Sequence, residues 1–125
     1  MSKVLVIDDE KSIAESLGQI LTLVGYNVTT AAGGAEGIEI FDKDLFDLVI
    51  TDIRMPGVNG IGVVRHIRKS ERPHTPIIGI SGTPWLLEEN GFNSTLNKPF
   101  TIMDLKETVD ELAPVTGDKE NRQYQ

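Results

Sequence analysis

The sequence alternates short apolar runs with predicted helices, and this alternation constrains the fold more than any other feature. Five runs of strand length recur along the chain, and each is followed by a segment with helical periodicity or helix caps. The predicted strands are Val4–Ile7, Tyr26–Ala31, Leu48–Thr51, Pro76–Ile80 and Ser94–Asn97. Strands that alternate with helices in this way predict an α/β domain, in which helices cover both faces of a parallel sheet.

The composition of the strands predicts their order in the sheet. Strands one, three and four are almost continuously apolar, as expected of strands that are buried on both faces. Strands two and five contain polar residues, including Asn27, Thr29 and Ser94, and therefore suit the edges. The order 2-1-3-4-5 satisfies this pattern, and it is the order of the flavodoxin-like, doubly wound fold.

Two segments depart from regular alternation. Thr83-Pro84 suits a helix start and Asn90-Gly91 suits a helix end, and only about two turns fit between them. The last residues of the chain are polar and lack periodicity. We therefore predict one domain at residues 1–113, with a shortened fourth helix, and a flexible tail or linker start at 114–125.

Composition excludes several classes of function. The chain has 125 residues and no cysteine, which excludes disulfides and thiolate ligands. Its net charge of −7 disfavours direct binding of this domain to nucleic acid. Without a secretory signal or a bilayer-length apolar run, we expect no membrane contact and a cytoplasmic location.

A basic cluster and the two histidines are predicted to lie at the surface. The basic cluster at 65–69 is interpreted as the solvated end of a helix, where cations are favoured by the helix dipole. His66 and His74 have no catalytic partners in the sequence and are predicted to be surface residues.

Chemically active side chains stand at the carboxyl ends of the predicted strands. Asp8 and Asp9 follow strand one, and Asp52 follows strand three. Ser81 and Lys98 mark the ends of strands four and five. Parallel strands bring these ends to one edge of the sheet, where ligands bind at the point of winding reversal. We therefore expect these side chains to share one pocket.

Three carboxylates in one pocket repel each other. At separations of about 4–6 Å, each pair costs on the order of 3–4 kcal/mol at an effective dielectric of 20, which Lys98 alone does not offset. Either some of the carboxylates take up protons or a divalent cation occupies the pocket. An open site with oxygen ligands only suits Mg²⁺.

This group of side chains suits phosphoryl transfer. Asp52 can attack phosphorus and form an acyl phosphate. Lys98 and the metal would neutralise the phosphoryl oxygens, and Ser81 can donate a hydrogen bond to one of them. Asp52, Lys98 and Ser81 are therefore the predicted catalytic residues.

Four separate motifs resemble those of the response-regulator receiver family of two-component signalling. They are Val-Ile-Asp-Asp-Glu at 6–10, Asp-Ile-Arg-Met-Pro-Gly-Val-Asn-Gly at 52–60, Ile-Ser-Gly at 80–82 and Asn-Lys-Pro-Phe at 97–100. They occur in the order of the family and at nearly its spacings. The resemblance covers the chain from about Lys3 to Leu112.

The resemblance implies a ligand set for Mg²⁺. Asp52, the phosphoacceptor, and Asp9 would bind the metal directly. The backbone carbonyl of Arg54 would complete the protein ligands, and Asp8 would hold the metal mainly through water.

The resemblance also implies roles around the phosphoryl group. Ser81 would be a switch hydroxyl that moves towards it, and Lys98 would pair with its oxygens. The bond between Lys98 and Pro99 would be cis. The small Gly82 would leave access to the acyl phosphate.

Two features depart from the family pattern. Thr95 stands where the family has its switch aromatic, three residues before the lysine. The short stretch between Ser81 and Lys98 abbreviates the fourth helix. A mechanism based on a rotating ring, and signalling through the surface next to that helix, are therefore not assumed.

The family resemblance implies a phosphorylation-controlled switch. A sensor histidine kinase or a histidine phosphotransfer protein would donate the phosphoryl group, and a downstream protein or effector domain would respond. The domain would be no enzyme beyond its own phosphorylation and dephosphorylation. A phosphohydrolase of the haloacid-dehalogenase type is disfavoured, because it needs an acid where Arg54 stands. The alternative is a docking module of the same fold that works without phosphorylation.

Overall fold

Five strands and four helices make up the described part of the chain. The computed structural model describes residues 2–82 and 91–113. The strands are β1 (Lys3–Ile7), β2 (Asn27–Ala31), β3 (Leu48–Asp52), β4 (Ile77–Ser81) and β5 (Ser94–Asn97). The helices are α1 (Lys11–Leu23), α2 (Gly34–Lys43), α3 (Gly60–Arg68) and α4 (Ile102–Leu112). The short helix predicted after strand four, and the predicted tail, lie outside the described residues.

The strands form one parallel sheet in the order β2-β1-β3-β4-β5. This confirms the predicted doubly wound fold. Every residue of β3 and β4 is buried, whereas the edge strands β2 and β5 contain exposed residues. Strand composition therefore predicted the order correctly, because only inner strands are covered by helices on both faces.

Several strand boundaries differ by one residue from the prediction. Tyr26 precedes β2, and its side chain is buried in the core instead. Pro76 precedes β4, since proline has no N–H for the ladder. At the opposite ends, β3 and β4 continue to Asp52 and Ser81. Strand pairing therefore fixes the backbone positions from which these two side chains extend.

Helices cover both faces of the sheet. Helices α1 and α4 pack on one face and α2 and α3 on the other. The first core contains Ala14, Leu17, Leu21, Leu105 and Val109 against Val4, Val6, Ile50 and Ile78, and the second contains Phe41, Val63, Val64 and Ile67 against Leu5, Ile7, Val49 and Ile77. No described helix is both long and apolar enough to cross a membrane.

Helices α2 and α3 are also joined at the surface. His66 was predicted to be a surface residue without a catalytic partner, and its Nε2 lies 2.8 Å from Oδ1 of the surface residue Asp42. The two residues are neighbours because α2 and α3 pack side by side. Their spacing in the sequence does not indicate this contact.

The interpretation of the basic cluster is wrong for Arg68. Its guanidinium turns back and donates hydrogen bonds to the carbonyl oxygens of Pro73 at 2.8 Å and of Thr75 at 2.7 Å. It also donates to the carbonyl of Gly91, at 3.2 Å from Nε and 2.7 Å from Nη2. Arg68 therefore connects the end of α3 to the segments that enter β4 and β5.

Replacing Arg68 with lysine should destabilise the fold. Lysine keeps the charge but cannot reproduce the planar fork that reaches several carbonyls, so we expect a loss of about 1 kcal/mol in the free energy of unfolding. Urea denaturation measures it. Arg65→Lys, at an exposed position of the same helix, is the matched control and should change stability little. Equal stability of the two variants would contradict the connecting role of Arg68.

Candidate acidic functional site

Three carboxylates, here called the acidic cluster, meet at the carboxyl edge of the sheet. Asp8 directly follows β1 and is 2% exposed, while Asp52 ends β3 and is 6% exposed. Asp9 is exposed to solvent. One oxygen atom from each of the three residues lies within 4.8 Å of the others. The expected convergence of these side chains is therefore confirmed.

The Asp52 carboxylate has a defined orientation. Its Oδ1 accepts a hydrogen bond from the backbone N–H of Ile53 at 2.9 Å. Its Oδ2 lies 3.3 Å from Nζ of Lys98. Lys98 follows β5, two strands away from β3. The parallel sheet thus brings together an acid and a base that are 46 residues apart in the sequence.

The pKa of Asp8 is raised by its surroundings in the acidic cluster. Burial raises the pKa of its carboxyl above the ordinary value, and the charges of Asp52 and Asp9 raise it further. A hydrogen bond from the Glu10 amide, at 2.9 Å, and the charge of Lys98 act in the opposite direction. The raised pKa shows that ionised Asp8 is disfavoured unless a cation compensates it.

The acidic cluster fits a hard divalent cation. Its donors are carboxylate oxygens, the ligands that Mg²⁺ prefers, and they are close enough to contact one ion. Asp9 remains exposed, so water can complete the coordination. One lysine at 3.3 Å from Asp52 provides a single positive charge against three carboxylates. The residues present therefore fit Mg²⁺.

Ser81 and Arg54 lie beside the acidic cluster. Ser81 ends β4 and is 3% exposed. Its carbonyl accepts a hydrogen bond from the N–H of Lys98 at 3.0 Å, and the residue before it, Ile80, pairs with Asp52. Arg54 is exposed, two residues after Asp52. The roles of the Ser81 hydroxyl and the Arg54 carbonyl remain predictions.

Lys98 directly follows β5 and Thr95 lies within it, and their surroundings differ. The peptide bond between Lys98 and Pro99 is cis, as predicted. Thr95 is exposed, and the next residue, Leu96, packs into the core. The position of the family's switch aromatic is therefore occupied by a small polar side chain at the surface.

Two contacts on the backbone of Asp52 were missed by the sequence prediction. The Thr51 hydroxyl donates a hydrogen bond to the Asp52 carbonyl at 2.9 Å. A Cβ added to Gly60, the first residue of α3, would lie 2.4 Å from the same carbonyl oxygen. The sequence signal for Thr51 was a hydroxyl in an otherwise apolar strand. The sequence signal for Gly60 was only its position at the end of the motif at 52–60.

Comparison with known proteins identifies the family. The family model of the response regulator receiver domain matches residues 4–110. The chain belongs to the response regulator receiver domain family.

Similar proteins include regulators and solved receiver structures. The chain is 35% identical to the probable transcriptional regulator ycf27 of Cyanidium caldarium, over 86% of this chain and 45% of that protein. It superposes on the chemotaxis response regulator CheY4 of Vibrio cholerae with a TM-score of 0.84 and 33% identity, covering 90% and 98% of the two chains. TrrA of Thermotoga maritima, solved in complex with Mg²⁺-BeF, gives 0.82 and 35%, covering 90% and 99%. The chain thus spans less than half the length of the ycf27 relative.

Proposed function

We propose that this receiver domain is a phosphorylation-controlled switch with Asp52 as its phosphoacceptor. The observation that carries the proposal is the environment of the Asp52 carboxylate, with Lys98 at 3.3 Å and two further carboxylates within 4.8 Å. A buried acid between a lysine and a cation-binding group is suited to receive a phosphoryl group. The Mg²⁺-BeF complex of TrrA supports this use of the site, since beryllofluoride imitates a phosphoryl group.

The acidic cluster would hold Mg²⁺ during the reaction. Asp9 and Asp52 would bind it directly, together with the carbonyl of Arg54, and Asp8 would act mainly through water. When bound, the cation supplies positive charge that neutralises phosphoryl oxygens.

The reaction forms an acyl phosphate on Asp52. A carboxylate oxygen attacks the phosphorus of a phosphohistidine, the new P–O bond forms as the P–N bond breaks, and the electron pair leaves with the imidazole nitrogen. The Ile53 amide holds the carboxylate in orientation, and Lys98 pairs with the phosphoryl oxygens. Attack of water on the phosphorus later releases phosphate and restores Asp52. The domain catalyses only these two changes to itself.

The phosphoryl group then biases the conformation of the domain. It adds a charge of about −1.5 to −2, and this shifts an equilibrium only if one conformation binds the charge better. Lys98 and Ser81 would supply that difference. The phosphoryl donor would be a sensor histidine kinase or a histidine phosphotransfer protein in the cytoplasm. The recipient of the signal would be a downstream protein or an effector domain, since the ycf27 relative continues beyond the aligned region.

Mass spectrometry of the wild-type protein tests the proposal. Incubation with Mg²⁺ and phosphoramidate should add one phosphoryl group, which maps to the peptide that contains Asp52. Chelation of Mg²⁺ should suppress the gain. A phosphoryl group found on any other residue, or incorporation that is equally fast without a divalent cation, would contradict the proposed site.

A second candidate function is docking without phosphorylation. The observation in its favour is Thr95, which is small and exposed where the family has its switch aromatic. A pull-down that compares free protein with protein bound to Mg²⁺ and beryllofluoride separates the two functions. Partner capture that changes with the phosphoryl mimic supports the switch, and identical capture in both states supports the docking module.

A further inference from the structure

Thr51 is a buried polar residue that the proposed reaction does not use. It lies in β3, is fully buried, and donates its hydroxyl to the carbonyl oxygen of Asp52 at 2.9 Å. By strand alternation it faces the same side as Val49, towards α2 and α3. A buried hydroxyl lowers stability unless it is hydrogen-bonded. The Asp52 carbonyl is therefore held within hydrogen-bonding distance of the Thr51 hydroxyl, and this restrains the backbone of Asp52.

The constrained unit is the peptide plane between Asp52 and Ile53. Its carbonyl end accepts the Thr51 hydroxyl. Its N–H end is shared between Oδ1 of Asp52 at 2.9 Å and the carbonyl of Ile80 at 3.2 Å. Because a peptide unit is planar and rigid, a rotation that moves its carbonyl also moves its N–H. The Thr51 hydroxyl is therefore coupled to the hydrogen bond that orients the Asp52 carboxylate.

Strand pairing supports this plane on the β4 side, where Asp52 pairs with Ile80, but not on the β1 side. Pairing of β3 with β1 ends at Thr51, opposite Ile7, one residue before Asp52. At this point the Thr51 hydroxyl supplies a hydrogen bond to the Asp52 carbonyl. Gly60 packs against the same carbonyl, where any Cβ would be 2.4 Å away. The plane is thus held by a hydrogen bond and by close packing.

From these contacts we infer that Thr51 is a positioning residue for the phosphoacceptor. Its hydroxyl holds the Asp52–Ile53 peptide plane so that the Ile53 N–H keeps the Asp52 carboxylate turned towards Lys98. Thr51 would act through the backbone of Asp52 and not by contact with the phosphoryl group. The inference rests on the proposed function, because it concerns how Asp52 is presented for phosphorylation.

Thr51→Val tests the inference, because valine keeps the shape of threonine and removes the hydroxyl. We expect the phosphorylation rate constant at saturating phosphoramidate and Mg²⁺ to fall about fivefold, the effect of one neutral hydrogen bond. The half-saturating donor concentration should change little. Independently of activity, the Ile53 amide should exchange its hydrogen faster in the variant. Thr51→Ser retains a hydroxyl and should recover the rate to within about twofold of wild type.

A second buried threonine provides the matched control. The Thr75 hydroxyl also donates to a backbone carbonyl, that of Arg72 at 2.9 Å, but it lies before β4, at the opposite edge of the sheet. Thr75→Val should leave the rate constant and the Ile53 exchange rate unchanged. If Thr51→Val does not fold, Thr51→Ala and Thr51→Ser give the same comparison in smaller side chains.

The outcomes separate this inference from the proposed function. Wild-type protein that takes up no phosphoryl group overturns the proposed function itself. A phosphorylated wild type with an equally fast Thr51→Val variant overturns only the role of Thr51. Equal slowing of the valine and serine variants also overturns it, because serine keeps the hydroxyl, and a general packing defect then explains the result.

Discussion

Replacing Asp52 with asparagine is expected to reduce phosphoryl incorporation by at least about a thousandfold, a loss similar to that seen when an enzyme loses its nucleophile. The amide oxygen of asparagine is a weak nucleophile and cannot form an acyl phosphate without losing the amide. Phosphoryl incorporation is measured by intact-mass spectrometry with Mg²⁺ and phosphoramidate.

The fold should tolerate this change. Asparagine has nearly the same shape, its side-chain oxygen can still accept from the Ile53 amide, and its neutrality relieves the repulsion within the acidic cluster. Thermal denaturation should therefore show no loss of stability.

Asp47→Asn is the matched control for this prediction. Asp47 lies just before β3, where its carboxylate accepts the backbone N–H of Lys3 at 2.7 Å. The control makes the same chemical change at the opposite end of the strand and should be phosphorylated as fast as wild type. Undiminished incorporation in Asp52→Asn would exclude Asp52 as the phosphoacceptor.

The position of the site could be predicted from the sequence because the fold rule is simple. The carboxyl ends of parallel strands meet at one edge, so Asp8, Asp52 and Lys98 had to approach each other once the strands were recognised. The alternation of apolar runs supplied the strands, and their polar content supplied the order. Strand boundaries were predicted less accurately. Tyr26 was included in strand two because it is apolar, but its side chain is buried in the core without being part of the strand.

Several of the contacts that the sequence did not predict involve the backbone. Arg68 donates to the carbonyls of Pro73, Thr75 and Gly91, and Thr51 donates to the carbonyl of Asp52. Every residue has a carbonyl group, so the sequence contains no signal for which one is used. Such contacts follow from the distance between segments, which only the folded structure fixes.

Replacing Asp8 with asparagine should stabilise the metal-free protein. Burial, and then the charges of Asp52 and Asp9, raise the pKa of Asp8, so the folded state binds this proton more tightly than the unfolded state. The resulting contribution to stability is complete below the ordinary value of 3.8 and is lost as the pH rises through the raised value. At neutral pH, Asp8→Asn should therefore have a higher free energy of unfolding than wild type in the presence of chelator.

Urea denaturation with chelator and with Mg²⁺ tests this prediction at two pH values. The advantage of Asp8→Asn should disappear as the pH falls below 3.8, where wild-type Asp8 is protonated. Saturating Mg²⁺ should stabilise wild type more than the variant, because binding to the folded state adds to its stability. Asp110→Asn is the control of opposite sign: burial acts to raise the pKa of Asp110, but hydrogen bonds from Lys106 and Tyr26 lower it overall, so its loss should destabilise the protein at neutral pH. If Asp8→Asn were less stable than wild type without metal, the three carboxylates would not be in conflict, and the physical reason for a cation at this edge of the sheet would be lost.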